Sequence, residues 1–285
     1  MSGSHIELTI GTDPAAFETI TGALSIEGFQ GFWEDGNTLR AYIGEDRWRS
    51  DRLGHLRRTL SRIADDLHIA PPSITLATVA PRNWNRSWEE TIRPIRVTAR
   101  IVIAPTWHPY TGSPDDIVLT IDPKMSFGTG YHETTRLMLV LLEKHCVTGT
   151  RVLDAGTGTG VLAIAAVKLG ASSAIGFDVD EWSISNAAEN TRLNGVSDRV
   201  EIRQGDLSSV PESGFDLIAA NIQKNVIGEM LPGLVTRLSG RGTMLLSGLL
   251  AGDRDEVAAL ITEAGLLLRE ELAEGEWIAC AAGRR

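Results

Sequence analysis

The run Asp154-Ala155-Gly156-Thr157-Gly158-Thr159-Gly160 has the residue types and spacing to hold a nucleotide-like ligand. It follows the apolar stretch Arg151-Val152-Leu153 and precedes a helix-forming run from Val161 to Leu169. A strand, a glycine turn and a helix N-terminus in this order let backbone N–H groups approach a ligand closely in an open α/β sheet. Gly156 and Gly158 are the candidate contacts in the turn. The next apolar run, Ala174-Ile175-Gly176-Phe177, ends in Asp178, whose carboxylate can accept from both hydroxyls of a ribose.

The spacing also argues against a close alternative. The dinucleotide fingerprint GxGxxG requires its third glycine where this chain has Val161. Here the pattern is GxGxG, with Asp154 two residues before its first glycine, a form that resembles the first motif of the class I methyltransferases, which bind S-adenosylmethionine. In that class a carboxylate or carboxamide near the adenine amino group follows the next strand, here Val200 to Arg203, and Asp206 occupies the place. A second reading of Asp206, an Asx residue forming the turn, stays open.

Asn221, in Ala220-Asn221-Ile222, closes the apolar run Phe215 to Ala219. A polar residue at the carboxyl end of a parallel strand lies in the ligand crevice, where its side-chain amide can accept from an incoming amine; the alternative is a turn residue at a strand end. Many amino-group methyltransferases carry Asn/Asp-Pro-Pro-Tyr here, and the lack of prolines points away from a flat amide or base amine. Further upstream, Asp122-Pro123-Lys124-Met125-Ser126-Phe127-Gly128-Thr129-Gly130-Tyr131-His132-Glu133-Thr134-Thr135 places Thr134 and Thr135 in the first turn of a helix. Their hydroxyls and the open amides there can hold a carboxylate. His132 is either a proton acceptor or a structural hydrogen-bonder of the loop.

Taken together, the loop Asp122-Pro123…Phe127-Gly128-Thr129-Gly130-x-His132-x-Thr134-Thr135, the run from Val152 to Ala166 and Ala220-Asn221-Ile222 resemble the ribosomal protein L-eleven methyltransferase family. The tryptophan-containing connector and the small N-terminal region match that family's layout, so the resemblance covers nearly the whole chain. It implies S-adenosylmethionine as cofactor and methylation of lysine side chains and the N-terminal amine of that ribosomal protein. It also implies an N-terminal domain that recognises the substrate and moves relative to the catalytic domain, and cofactor contacts from Thr135, Gly156, Asp178 and Asn221. After the matching Asn-Ile the family commonly continues Leu-Ala, whereas this chain has Gln223-Lys224.

These residues need a scaffold. The fold class expected is α/β: a Rossmann-like class I methyltransferase domain, mainly parallel with an antiparallel edge hairpin, preceded by a small α+β ferredoxin-like domain. In the larger domain strands are expected at about 95–104, 117–121, 151–155, 174–178, 199–203, 214–220, 241–247, 266–273 and 276–281, and helices at about 133–145, 160–169, 181–193, 225–238 and 253–264. In residues 1–80 the order βαββαβ follows from strands near 6–10, 28–33, 38–43 and 73–79 and helices over 13–22 and 51–67. Residues 81–94 read as a linker in which Trp84 and Trp88 share one helix face and pack between domains; residues 95–285 form the catalytic domain. Arg47, Arg49, Arg52, Arg57, Arg58 and Arg62 form either a contact for RNA or an acidic partner, or a solvated face interspersed with Asp46, Asp51 and Asp65.

Composition narrows the function. The chain has 285 residues and a formal net charge of −10, which disfavours sequence-blind nucleic-acid binding and is compatible with attraction of a basic protein partner or with solubility alone. Two cysteines without a CxxC pair or clustered histidines give no expectation of a disulfide framework or metal site. No apolar run approaches a membrane span, and the N-terminus lacks signal-peptide features, so a cytoplasmic enzyme is expected, with a protein substrate, no direct nucleic-acid requirement, no membrane partner and, from the resemblance, a monomeric state. Three rival readings are an NAD-dependent oxidoreductase, a methyltransferase acting on another protein or a small amine, and a binding protein without turnover.

Overall fold

The computed structural model describes residues 5–45, 47–49, 52–67, 69–79, 92–124 and 126–284. Contacts gather into two units, residues 1–86 and 87–285. The expected connector with Trp84 and Trp88 lies, through residue 91, outside the described residues, as do Asp46 and Asp51.

In the first unit, β1 (His5–Gly11), β2 (Gln30–Asp35), β3 (Thr38–Gly44) and β4 (Ser73–Val79) form one sheet in the order β2-β3-β1-β4, antiparallel at every pairing. Along the chain these strands and two helices follow the βαββαβ order expected of a ferredoxin-like unit. Alternation places Ile6, Leu8 and Ile10 in the core, where they meet Phe17, Ile20 and Leu24 of α1 (Phe17–Ile26) and Leu56 and Leu60 of α2 (Arg52–Asp66). The α1 boundary differs from the expected end at Gly22. The apolar positions continue through Leu24, Gly22 meets nothing that a Cβ would disturb, and the chain instead leaves the helix at Gly28, with φ +89°. Arg57, Arg58 and Arg62 lie exposed on α2, as do Arg47 and Arg49 before it, an exposure common to both readings of this cluster.

The second unit begins with β5 (Ile95–Arg96), β6 (Ile101–Ala104) and β7 (Ile117–Thr120), a small sheet in that order. One strand was expected over 95–104. The Thr98 hydroxyl accepts from the backbone N–H groups of Arg100 and Ile101, at 3.1 and 2.8 Å, and the resulting turn folds β5 back antiparallel onto β6. After α3 (Glu133–His145) come β8 (Arg151–Ala155), α4 (Val161–Lys168), β9 (Ser173–Asp178), α5 (Glu181–Leu193), β10 (Val200–Gln204), β11 (Phe215–Asn221), α6 (Lys224–Arg237), β12 (Leu238–Leu250), α7 (Arg254–Glu263), β13 (Leu266–Glu274) and β14 (Trp277–Arg284).

Seven of these strands form the main sheet, in the order β10-β9-β8-β11-β12-β14-β13. The pairings are parallel except that β14 runs antiparallel to both β12 and β13, so the terminal hairpin closes one edge with β13 outermost. Both faces are covered, as a parallel sheet requires. Leu217 and Ala219 of β11 face one core, with Leu142 and Ile164; Ile218 and Ala220 face the other, with Leu231 and Ile261. From β8 the chain winds outward in both directions, through β9 to β10 and through β11 to β12. The gap between the carboxyl ends of β8 and β11 is the switch point at which such sheets hold ligands.

Candidate active site

At that switch point Ala155 of β8 pairs with Ala220 of β11, which brings the glycine turn beside Asn221. A cavity of about 890 Å³ opens there, with Gly156, Gly158, Asp178, Asp206 and Asn221 among its lining residues, joined by Phe127, His132 and Trp277. Its size suits a cofactor with a substrate side chain.

The turn needs its glycines for contact as well as curvature. Gly158 has φ +54°, and a Cβ there would sit 2.4 Å from the carbonyl oxygen of Phe127. A Cβ on Gly156 would meet Ile222 Cγ2 at 2.3 Å. The turn therefore lies flush against both the upstream loop and the segment after β11. Asp154, fully buried beneath it, accepts at Oδ2 from the Thr157 hydroxyl at 2.7 Å and from the Ala163 backbone N–H at 3.2 Å, which ties the turn to α4. Burial pushes its carboxyl up to about 6, and the nearby Asp178 charge pushes the same way, against the lowering effect of Thr157 and Ala163.

Asp178 ends β9 with both oxygens engaged by backbone: Oδ2 accepts from Gly158 N–H at 3.0 Å and Oδ1 from Asp180 N–H at 3.1 Å. A carboxylate oxygen accepts more than one bond, so the group is fixed in place and retains capacity for a diol. Asp206 forms the turn and also lines the cavity. Its Oδ1 accepts from the Ser208 backbone N–H and hydroxyl at 2.8 and 2.6 Å, capping a 3₁₀ turn over Leu207–Ser209, while the residue lines the cavity. These bonds, the Ser208 hydroxyl first, hold its carboxyl below the usual range.

Asn221 Nδ2 lies 3.5 Å from the hydroxyl of Thr135, and its Oδ1 is buried with no hydrogen-bond partner among the described residues. Thr135 does not line the cavity. It is fully buried behind Asn221, and the neighbouring Thr134 reaches the lining instead. Helix periodicity is the reason, since adjacent residues face directions about 100° apart.

His132 is the N-cap of α3. Its Nδ1 accepts from the Thr134 backbone N–H at 3.3 Å and lies 2.9 Å from the Thr134 hydroxyl. A neutral ring accepting at Nδ1 carries its hydrogen on Nε2, which makes the second nitrogen a donor. The ring is held edge-on between Phe127, at 5.1 Å between centroids, and Trp277, at 4.9 Å. Sequence reasoning had not connected Trp277 to the site; it is contributed by β14, far along the chain. Gln223 also lines the cavity, and Lys224, at the start of α6, pairs with Asp253 at 2.9 Å and Glu256 at 2.7 Å. Those carboxylates offset the unfavourable placing of a cation at a helix N-terminus. Among the described residues no group of His, Cys, Asp and Glu is arranged to hold a metal, and no helix is long and apolar enough to cross a membrane.

The chain is 38% identical over 279 residues to the ribosomal protein L11 methyltransferase of Chlorobaculum tepidum, covering 96% of this chain and 95% of that protein. It is 40% identical over 248 residues to the protein of the same name from Pelobacter propionicus, with 85% and 80% coverage. A crystal structure of ribosomal protein L11 methylase from Lactobacillus delbrueckii subsp. bulgaricus superposes with a TM-score of 0.64 at 31% identity, covering 68% of this chain and 100% of that one. The family model described as ribosomal protein L11 methyltransferase (PrmA) matches residues 5–285, and the chain belongs to that family.

Proposed function

We propose that the protein is an S-adenosylmethionine-dependent N-methyltransferase of ribosomal protein L11, acting in the cytoplasm on lysine side chains and the N-terminal amine. The observation that carries this reading is the buried Oδ1 of Asn221, without a hydrogen-bond partner among the described residues, set at the carboxyl end of β11 beside the glycine turn. A buried carbonyl without a donor is costly, of order 1–3 kcal/mol, and a donor brought by a ligand relieves that cost. An amine nitrogen is such a donor.

The residues fit the cofactor. Asp178 has the remaining acceptor capacity for the ribose hydroxyls, and Val179, Leu207 and Ile222 line the cavity with apolar surface for a purine. Asp206 stands at the same wall for the purine amino group. The close-packed turn at Gly156 and Gly158 leaves no side chain in the path of the nucleoside. When bound, S-adenosylmethionine supplies a methyl group that is already electrophilic, so alignment is the chief demand on the protein. Asn221 Oδ1 accepts a hydrogen from the incoming amine and directs the nitrogen lone pair. Thr135 holds that amide from behind. Phe127 and Trp277 line the cavity with apolar surface that excludes water from the aliphatic stem of a lysine.

The amine must be neutral to react. For lysine at pH 7 deprotonation costs roughly 4–5 kcal/mol. Transfer into an apolar slot disfavours the ammonium form and supplies part of this, with the proton passing to solvent. We assign substrate recognition to residues 1–80 and the chemistry to residues 95–285, with 81–94 as the linker. An acidic chain, with net charge −10, is suited to a basic ribosomal protein. Labelled cofactor incubated with this protein and ribosomal proteins from a methylation-deficient strain, followed by mass spectrometry, is the test. Label on L11 amines is expected; label on other proteins alone overturns the substrate assignment.

A further inference from the structure

The polar face of α5 does structural work that its sequence conceals. Asn186, Asn190 and Asn194 recur every fourth residue, and Asn186 and Asn190 are buried. Asn194 pairs both ways with the backbone of Thr120: its Oδ1 accepts from Thr120 N–H at 3.0 Å, and its Nδ2 donates to Thr120 O at 2.6 Å. Asn190 Oδ1 accepts from Asp122 N–H at 3.0 Å, and Asn186 Nδ2 donates to Pro123 O at 2.8 Å. The chain leaving β7 is thus held in turn by three side-chain amides, two on α5 and one at its C-cap.

Asn190 does more than its neighbours. Its Nδ2 also donates to the carbonyl of Thr159, in the glycine turn, at 2.9 Å. Thr159 in turn donates its N–H to Phe127 O at 2.9 Å and its hydroxyl to Gly128 O at 2.7 Å. One buried amide therefore joins the glycine turn to the start of the segment that delivers Phe127 and His132 to the cavity. Just beyond Pro123, Lys124 has φ +45°, a conformation L side chains adopt at a cost of about 1–2 kcal/mol, and its ammonium pairs with Glu189 of α5.

We propose that Asn186 and Asn190 are positioning residues for methyl transfer, setting Phe127 and His132 against the glycine turn so that acceptor and donor meet in line. The proposal rests on the methyltransferase reading above. A displacement of about 1 Å at reacting groups costs on the order of a hundredfold in rate. Asn194 secures β7 and supplies a structural control, since its truncation removes three backbone bonds, two with Thr120 and one to Asn190 O, but it touches neither the turn nor the segment after Pro123.

The test compares N186A, N190A and N194A by steady-state methyl transfer, binding of S-adenosylhomocysteine, thermal midpoint and amide hydrogen exchange of the unliganded protein. N190A is expected to lower kcat at least tenfold, N186A several-fold, and N194A less than twofold at a similar loss of thermal midpoint. Exchange at Ser126, Gly128 and Thr159 is expected to rise in N190A and not in N194A. The proposal is overturned when kcat falls in proportion to thermal midpoint across all three variants, or when exchange at those amides is unchanged in N190A. Should N190A fail to fold, N186A against N194A decides by the same criteria. The exchange measurement needs no substrate, so a wild-type protein that transfers no methyl to L11 defeats the functional reading and leaves this arm to be judged by itself.

Discussion

Asn221 turns its Nδ2 towards the buried hydroxyl of Thr135, 3.5 Å away, while its carbonyl oxygen is buried with no hydrogen-bond partner among the described residues. The amide of Asn221 is therefore oriented from behind. N221A removes the acceptor for the amine while leaving the ribose and purine contacts in place. We expect kcat to fall on the order of 10- to 100-fold, with the cofactor dissociation constant changing less than about threefold. T135V, which releases the amide to rotate, is expected to reproduce a few-fold part of the kcat loss. Single-turnover rates beside calorimetric binding of S-adenosylhomocysteine check this; equal losses in binding and turnover in both variants overturn it.

The acid of β9 has the opposite signature. D178A deletes the group that accepts from Gly158 N–H and stands ready for the ribose. Hydrogen bonds to a charged acceptor contribute about 1.5–3 kcal/mol each, so cofactor affinity is expected to drop on the order of a hundredfold or more. D178N keeps the shape and part of the accepting capacity, and its affinity is expected to fall between the two. Calorimetry with S-adenosylhomocysteine measures both. Binding unchanged in D178A removes the ribose assignment.

Asp154 gives the fold a pH dependence with a definite sign. Burial raises its folded value to about 6, above the ordinary carboxyl value of 3.8. Between these two values the folded chain binds the extra proton, so this group makes folding progressively less favourable as pH rises from about 4 through 6. Above about pH 6 the cost is fully present, at most about 3 kcal/mol, because each pH unit of difference corresponds to about 1.4 kcal/mol. D154N carries no charge and can keep an oxygen facing Thr157 and Ala163. Its stability relative to wild type, from urea unfolding between pH 5 and 8, is expected to improve as pH rises and to level off above about 7. A difference that is flat or falls with pH contradicts the assignment.

How far the sequence could be read follows from what each signal depends on. The cap at Asp180, which accepts from Ser183 N–H at 3.0 Å, and the capped start at His132 define α5 and α3, and both helices span the residues expected. Local chemistry sufficed there. It failed for 95–104, where the Thr98 turn interrupts a continuous apolar pattern, and for β12, which runs from Leu238 to Leu250 because its neighbours extend the pairing beyond 241–247. In the site, Asp178 and Asn221 were legible because strand ends in an open sheet converge. Trp277 was not, since only the antiparallel insertion of β14 brings it to His132. Nor were Asn186 and Asn190, because asparagines on a helix ordinarily mark its wet side.

Substitution separates the two readings of His132 in solution. With Nδ1 spent on the N-cap and the hydrogen on Nε2, the ring has no lone pair directed at an amine. Asparagine is among the best N-cap residues and cannot act as a base near neutral pH. H132N is therefore expected to retain kcat within about fivefold and a pH–rate profile of unchanged shape. The remaining loss comes from edge-on contacts with Phe127 and Trp277 that the smaller side chain no longer makes. H132A loses the cap as well, with an expected stability loss of about 1 kcal/mol. A histidine acting as base requires instead that H132N and H132A lose kcat together, and that the acidic limb of the profile disappear in both.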